Sequence, residues 1–180
     1  APVPQREDAE LRAMNIYGFS KMVMETVAGA AKGVKTAGLR YFNVFGPRQD
    51  PASHYAAVIP RFIAAALAGG SPTIFGDGTH TRDFVAVEDV VRANLAAAAI
   101  DCCFGDVYNI GSGASVSVNH LAARIKALMS ASSDPVHGDP VDEPAHSCAD
   151  ISKARKELRW EPKVPFDEAL RRAVGWFSGG

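Results

Sequence analysis

With 180 residues, 47% of them hydrophobic and 22% charged, the chain has the composition of a globular domain with a sizeable core, not of a disordered or fibrous one. A formal charge of −1 gives no basic footprint for nucleic acid and no polybasic patch for a membrane surface. The alanine-rich runs at 64–66 and 96–99 are too short to span a bilayer, and the polar opening carries no signal-peptide pattern.

Residues 1–8 read as a loop, because Pro2 and Pro4 cannot lie inside a helix. Asn15 caps a predicted helix from Ile16 to about Lys32, with Phe19, Val23 and Val27 near one face. Residues 36–45 form an apolar, β-branched and aromatic run stopped by Gly46-Pro47, the pattern of a buried, parallel strand. A helix followed at once by such a strand is half of a βαβ unit. Beyond the loop at 48–54, a helix is predicted from about Tyr55 to Ala68, with Pro60 in its opening turns, where a missing amide matters least. A short strand at 73–75 leads into the Gly76-Asp77-Gly78 turn. A strand at 83–87 follows, then a helix to about Ile100 opened by Glu88 and Asp89. Residues 107–110 read as a strand ending at Gly111-Ser112-Gly113, and Ser117 caps a helix over 118–129. Residues 130–144 look like a loop, Asp150 caps a short helix to about Leu158, and a last helix covers 167–177. The pattern is mixed α/β.

Cys102, Cys103 and Cys148 make neither a paired framework nor a metal-ligand spacing, and the five histidines show no HxxxH or HExxH arrangement. Reduced thiols in a cytoplasmic protein without a structural metal are expected.

The chemically suggestive stretch is Tyr17-Gly-Phe-Ser-Lys21. Four residues apart on a helix, the tyrosine and lysine share a face. A free phenol, with a pKa near ~10, is a poor base at pH 7. A neighbouring ammonium favours the phenolate, and a three-unit shift needs roughly 4 kcal/mol. Such a tyrosine can take a proton from a sugar hydroxyl while a hydride leaves the same carbon. A surface lysine beside a helix tyrosine has the same spacing, so the surroundings decide. No G-x-G-x-x-G fingerprint follows a strand, and Gly111-Ser112-Gly113 lacks a third glycine at the needed spacing and reads as a turn. Hydride chemistry needs a cofactor and a loop for its pyrophosphate, so the chain is expected to be the second part of a larger protein.

Several spans together carry a family resemblance. Tyr17-x-x-x-Lys21 and the run from Leu39 to Arg48 (LRYFNVFGPR) resemble the extended short-chain dehydrogenase/reductases. Residues 55–60 (YAAVIP), Phe75-Gly76-Asp77-Gly78-x-x-x-Arg82-Asp83-Phe84, Tyr108-Asn109-Ile110-Gly111 and 149–154 (ADISKA) narrow the resemblance to the UDP-glucose and UDP-N-acetylglucosamine 4-epimerases. It implies the C-terminal part of a Rossmann-like doubly wound sheet plus a small mixed α/β substrate-binding lobe. Residues 1–50 would close the dinucleotide-binding domain, and 51–180 would form mainly the substrate lobe, with 83–110 returning to the sheet.

By the same resemblance, the enzyme would use NAD to epimerise C4 of a UDP-sugar. Tyr17 would be the acid/base, and Lys21 would hold the nicotinamide ribose. Phe42 and Val44 would line the nicotinamide site, in keeping with ligand binding at strand ends in α/β sheets. Asn43 would contact the sugar diphosphate, while Ala57, Val58, Thr73 and Phe75 would shape the uridine pocket. Arg82 would meet the diphosphate, a contact that a guanidinium's fork of donors suits; the alternative is a strand-edge arginine paired with Asp77 or Asp83. Ser147 would border the sugar's 2-substituent and leave room for an N-acetyl group, or else serve as a capping serine. The resemblance also implies a homodimer packed through the helix from Ile16. Two departures stand out: Pro140-Val141-Asp142-Glu143 replaces the family's R-x-G-D/E run, leaving Arg82 the clearest diphosphate partner, and Met14-Asn15-Ile16 replaces a Ser-Pro lead-in. Sister readings are a nucleotide-sugar 4,6-dehydratase or decarboxylase, and a non-catalytic nucleotide-sugar-binding remnant.

Overall fold

Side chains alternate along a strand, and Phe84-Val85-Ala86 is buried at all three positions, so this strand has to be covered on both faces. The computed structural model, which describes residues 3–50, 57–100 and 105–179, shows how. Phe84 and Ala86 enter one core with Phe45, Ile59, Phe62, Ile63, Ile74, Leu121 and Leu170. Val85 enters a second with Val90, Tyr108, Ile110, Ile151, Leu158 and Trp160. The strand is the partition between them.

In chain order the elements are α1 (Ile16–Ala30), β1 (Ala37–Tyr41), β2 (Asn43–Phe45), α2 (Val58–Leu67), β3 (Thr73–Phe75), β4 (Thr81–Arg82), β5 (Phe84–Ala86), α3 (Val87–Ala99), β6 (Asp106–Ile110), β7 (Val116–Ser117), α4 (Val118–Met129), β8 (Val136–Gly138), a π-helical turn (Ala154–Leu158) and α5 (Phe166–Phe177). Parallel pairs join β1 to β6, β2 to β5 and β3 to β8, and an antiparallel pair joins β4 to β7. The result is mixed α/β with parallel sheets, the fold class expected. Among the described residues, no helix is long and apolar enough to cross a membrane.

Several predicted elements are redrawn. The run at 36–45 is two strands, not one, and it is not buried as expected: no residue of β1 is buried, Tyr41 is 47% exposed, and in β2 only Phe45 is buried. Its first half follows β6 until Tyr41 faces Ile110, and Phe42 N still donates to Ile110 O (2.9 Å). β6 then ends in the Gly111 turn, and Asn43 N donates instead to Asp83 O (2.9 Å), starting the pair with β5. The chain changes partner at Phe42. α1 stops at Ala30, short of Lys32, and the helix predicted from Tyr55 begins at Val58 within the described residues, Tyr55 and Ala56 lying outside them. The expected loop at 130–144 contains β8, which the flanking Pro135 and Pro140 conceal in the sequence but only bracket in space. β4 and β7 are two-residue strands too short to give a periodic signal. Two predicted caps hold: the Asn15 side chain accepts from Gly18 N (2.8 Å) and the Ser117 hydroxyl from His120 N (3.2 Å). The third does not: Asp150 accepts from Ser152 N (2.9 Å), but the π-helical turn that follows has Lys153 at its N-cap, with no side-chain cap bond.

Candidate active site

Asn15 starts α1, and the helical repeat then brings Lys21 back over Tyr17, with Nζ 5.1 Å from the ring centroid. Both side chains face solvent, Tyr17 at 56% exposure, so the pair is open to a ligand. No residue of α1 is buried, so its position depends on specific ties to β1. Arg40 forks onto Glu25 through Nε–Oε1 and Nη2–Oε2, both 2.7 Å, and Thr36 Oγ1 donates to Ala28 O (3.0 Å). Arg40 also donates to Glu7 O (2.9 Å), so one guanidinium joins the amino-terminal segment, α1 and the strand that runs on to Phe42, Asn43 and Val44.

A second group of predicted residues is assembled around one buried carboxylate. Asp83 is fully buried between Arg82 and β5. Its Oδ1 accepts from Ser112 N (2.6 Å) and Ser112 Oγ (2.7 Å), and its Oδ2 from Gly113 N (3.0 Å) and Ala149 N (2.9 Å). A Cβ on Gly111 would lie 2.7 Å from Asp83 Oδ2, so only glycine lets the turn close on this carboxylate. Through its own carbonyl Asp83 receives Asn43 N, and through Ala149 it fixes the segment that carries Ser147. Ser147 N donates to Thr81 O (3.1 Å), laying residues 146 and 147 beside β4. Asn43, Arg82 and Ser147 are thereby brought together on one hydrogen-bonded framework. The sequence offered Asp83 only as a possible partner of Arg82; the signal for its actual place was an aspartate heading an otherwise apolar strand.

Arg82 pairs with neither Asp77 nor Asp83. Its Nη1 donates to Thr81 O (2.9 Å) and Pro144 O (2.8 Å), and its Nη2 to Glu143 Oε2 (2.8 Å). Asp77 instead accepts from Thr79 N (2.9 Å) and Thr79 Oγ1 (2.8 Å); the backbone bond and then the hydroxyl hold its carboxyl below the ordinary 3.8. Burial, then the Arg82 charge, push the His80 imidazole below its ordinary 6.5.

The remaining predicted positions are spread over adjoining elements. Ala57 is the N-cap residue of α2, and Val58 is half-buried against the first core. Thr73 is exposed on β3, while Phe75 is half-buried with the Arg61 guanidinium 5.6 Å from its ring centroid. Arg61 is a second residue the sequence did not single out. Phe42, between β1 and β2, and Val44, the middle residue of β2, pack partly against the second core, so both have a structural role and neither ends the strand as expected.

Comparison with known proteins bears on this arrangement. A profile of the NAD dependent epimerase/dehydratase family matches residues 1–111. The chain belongs to that family. A family relative from Methanocaldococcus jannaschii, described as a putative UDP-glucose 4-epimerase, is 38% identical over 180 residues, covering 98% of this chain and 57% of its own length. A UDP-N-acetyl-alpha-D-glucosaminuronate decarboxylase from Bacillus cytotoxicus is 34% identical, covering 89% of this chain and 52% of its own length. Among solved structures, a UDP-glucose 4-epimerase from Thermotoga maritima with UDP-glucose superimposes with TM-score 0.88 at 38% identity, covering 98% of this chain and 57% of that one. A Bacillus cereus UDP-glucuronic acid 4-epimerase in complex with UDP-glucuronic acid and NAD gives TM-score 0.87 at 30% identity, covering 96% and 55%. The chain thus spans little more than half the length of these family members, and it has their Rossmann-like fold over that span.

Proposed function

We propose that this chain is the substrate-side part of an NAD-dependent 4-epimerase acting on a UDP-sugar, either UDP-glucose or UDP-N-acetylglucosamine. The observation that carries the reading is the Tyr17–Lys21 pair, open to solvent at the start of a capped helix in a chain of this family. Residues 1–50 complete a dinucleotide-binding domain and 51–180 form mainly the sugar-nucleotide lobe, with 83–110 belonging to the sheet.

The residues present fit one end of NAD. A phenol and an ammonium suit the nicotinamide ribose, with Phe42 and Val44 beside the ring. The pyrophosphate has no cradle at the glycine-rich turn of this chain: the N–H groups of Ser112 and Gly113, the kind a phosphate would use, are taken by Asp83. When bound, NAD supplies the oxidation and re-reduction of the sugar's C4. In this reading the Tyr17 oxygen, acting as phenolate, takes the proton from the C4 hydroxyl to become the phenol and later returns that proton, while the Lys21 ammonium lies 5.1 Å from its ring centroid. Asn43 and Arg82 hold the diphosphate, and Ala57, Val58, Thr73 and Phe75 enclose the uridine. Ser147 lies beside the sugar's 2-substituent, which favours the N-acetyl sugar. The chain alone is predicted inactive, and turnover by the purified 180 residues would contradict this.

A homodimer is part of the same reading, supported by the exposed Phe19, Val23 and Val27 on α1, and light scattering of the full-length protein tests it. So is a cytoplasmic location, with which the free thiol of Cys148 agrees. The decarboxylase among the relatives favours a second reading, a nucleotide-sugar decarboxylase or 4,6-dehydratase. Proton NMR of the products separates these outcomes: an epimerase inverts C4 with no loss of carbon dioxide or water.

A further inference from the structure

We propose that Glu143 sets the affinity of the diphosphate subsite by competing with the nucleotide's phosphates for Arg82, an inference that rests on the nucleotide-sugar reading above. The Arg82 side chain is only 12% exposed, and two backbone carbonyls, from Thr81 and Pro144, fix its guanidinium through Nη1. Nη2 is given to Glu143, whose oxygen at 2.8 Å occupies the position a phosphate oxygen needs in order to bond the same donor. Glu143 itself is 60% exposed and sits in a bend closed by its own N–H on Val141 O (2.9 Å). Residues 139–144 around it are exposed throughout. The carboxylate can therefore leave Arg82 without opening a core.

The charges nearby give the competition its weight. Asp77, His80 and His146 are the other titratable groups in this cluster. With the His80 imidazole held below its ordinary value, it brings no full positive charge at neutral pH, and His146 Nδ1 is engaged with Thr81 Oγ1 (3.1 Å). Arg82 is the permanent cation of the cluster, and Glu143 cancels it. A diphosphate has to displace that carboxylate and, if it remains close by, bind against its repulsion.

The test is the affinity of the full-length protein for UDP and for uridine, by calorimetry and NMR titration, in wild type, Glu143→Gln, Arg82→Ala and the double variant. Glutamine keeps the shape and hydrogen-bonding oxygen but removes the charge. Ion pairs of this exposure correspond to a factor of roughly two to five, and relief of repulsion adds to it, so Glu143→Gln should bind UDP about three- to tenfold tighter. Uridine, which has no phosphate, should bind unchanged, and the gain should vanish in the Arg82→Ala background. Unchanged or weaker UDP binding by Glu143→Gln, an equal gain for uridine, or a gain that survives loss of Arg82 overturns the inference while leaving the nucleotide-sugar reading intact. A wild-type protein that does not bind UDP overturns both.

Discussion

Replacing Asp83 by asparagine changes one atom in a fully buried side chain that accepts four hydrogen bonds from three residues. All four partners donate, and an amide can accept through only one of its two arms. With its NH2 toward Gly113 and Ala149, two backbone N–H groups lose their acceptor and face a donor. With the amide turned over, the Ser112 hydroxyl can rotate to accept, but Ser112 N–H is orphaned. The cheaper arrangement thus leaves one buried donor unsatisfied, about 1–3 kcal/mol, and reduces the remaining bonds from charge-assisted to neutral, about 1 kcal/mol each. The expected loss is about 4–6 kcal/mol, a large fraction of the roughly 5–15 kcal/mol available to a domain. Urea unfolding followed by the fluorescence of Trp160 reports it, since that indole is buried and donates to Asp89 O (3.0 Å) within the second core. A loss below about 1 kcal/mol would refute the reasoning, because it would mean that the turn at 111–113 is held without the carboxylate.

Gly78 makes a second local prediction. Its φ is +72°, and a Cβ there would lie 2.1 Å from Asn119 Oδ1, whose amide donates to Asp77 O (2.9 Å). Gly78→Ala should cost about 2–3 kcal/mol through left-handed strain and the displaced amide, read from the shift in the urea midpoint at constant m-value. The depressed Asp77 carboxyl contributes stability above the ordinary carboxylate value of 3.8 and loses it as pH falls through its lower folded value. Asp77→Asn should therefore flatten the acid side of the melting temperature against pH profile, and an unchanged slope between pH 5 and 2 would contradict the assignment. If Ser147 leaves room for an N-acetyl group, Ser147→Tyr should shift the kcat/KM preference of the full-length enzyme from UDP-N-acetylglucosamine toward UDP-glucose. An unchanged preference would remove Ser147 from the sugar site.

Local chemistry was the legible part of this chain. The Asn15 and Ser117 caps, the Tyr17–Lys21 spacing and the buried strand at Phe84–Ala86 follow from residues close together in the chain, and each is found where the sequence puts it. What was hidden depends on partners far away in the chain. The change of strand at Phe42 is set by where β6 ends and β5 begins, which 36–45 itself does not encode. Arg82-Asp83 reads as a polar pair at a strand edge, yet one residue goes to Glu143, 61 positions on, and the other to a buried turn and to Ala149, 66 positions on. β8 forms because Val136 N reaches Pro72 O (3.0 Å) across the sheet, a bond that two flanking prolines made improbable in the sequence.

Turnover of a UDP-sugar by the full-length protein with and without the Tyr17 hydroxyl tests the central claim most directly. Wild type, supplied with NAD and either UDP-glucose or UDP-N-acetylglucosamine, should interconvert the C4 epimers. Tyr17→Phe should lose about 10²–10⁴-fold in kcat while its UDP affinity stays within about twofold. A Tyr17→Phe enzyme with undiminished kcat, or a wild type that epimerises neither sugar, would contradict the account.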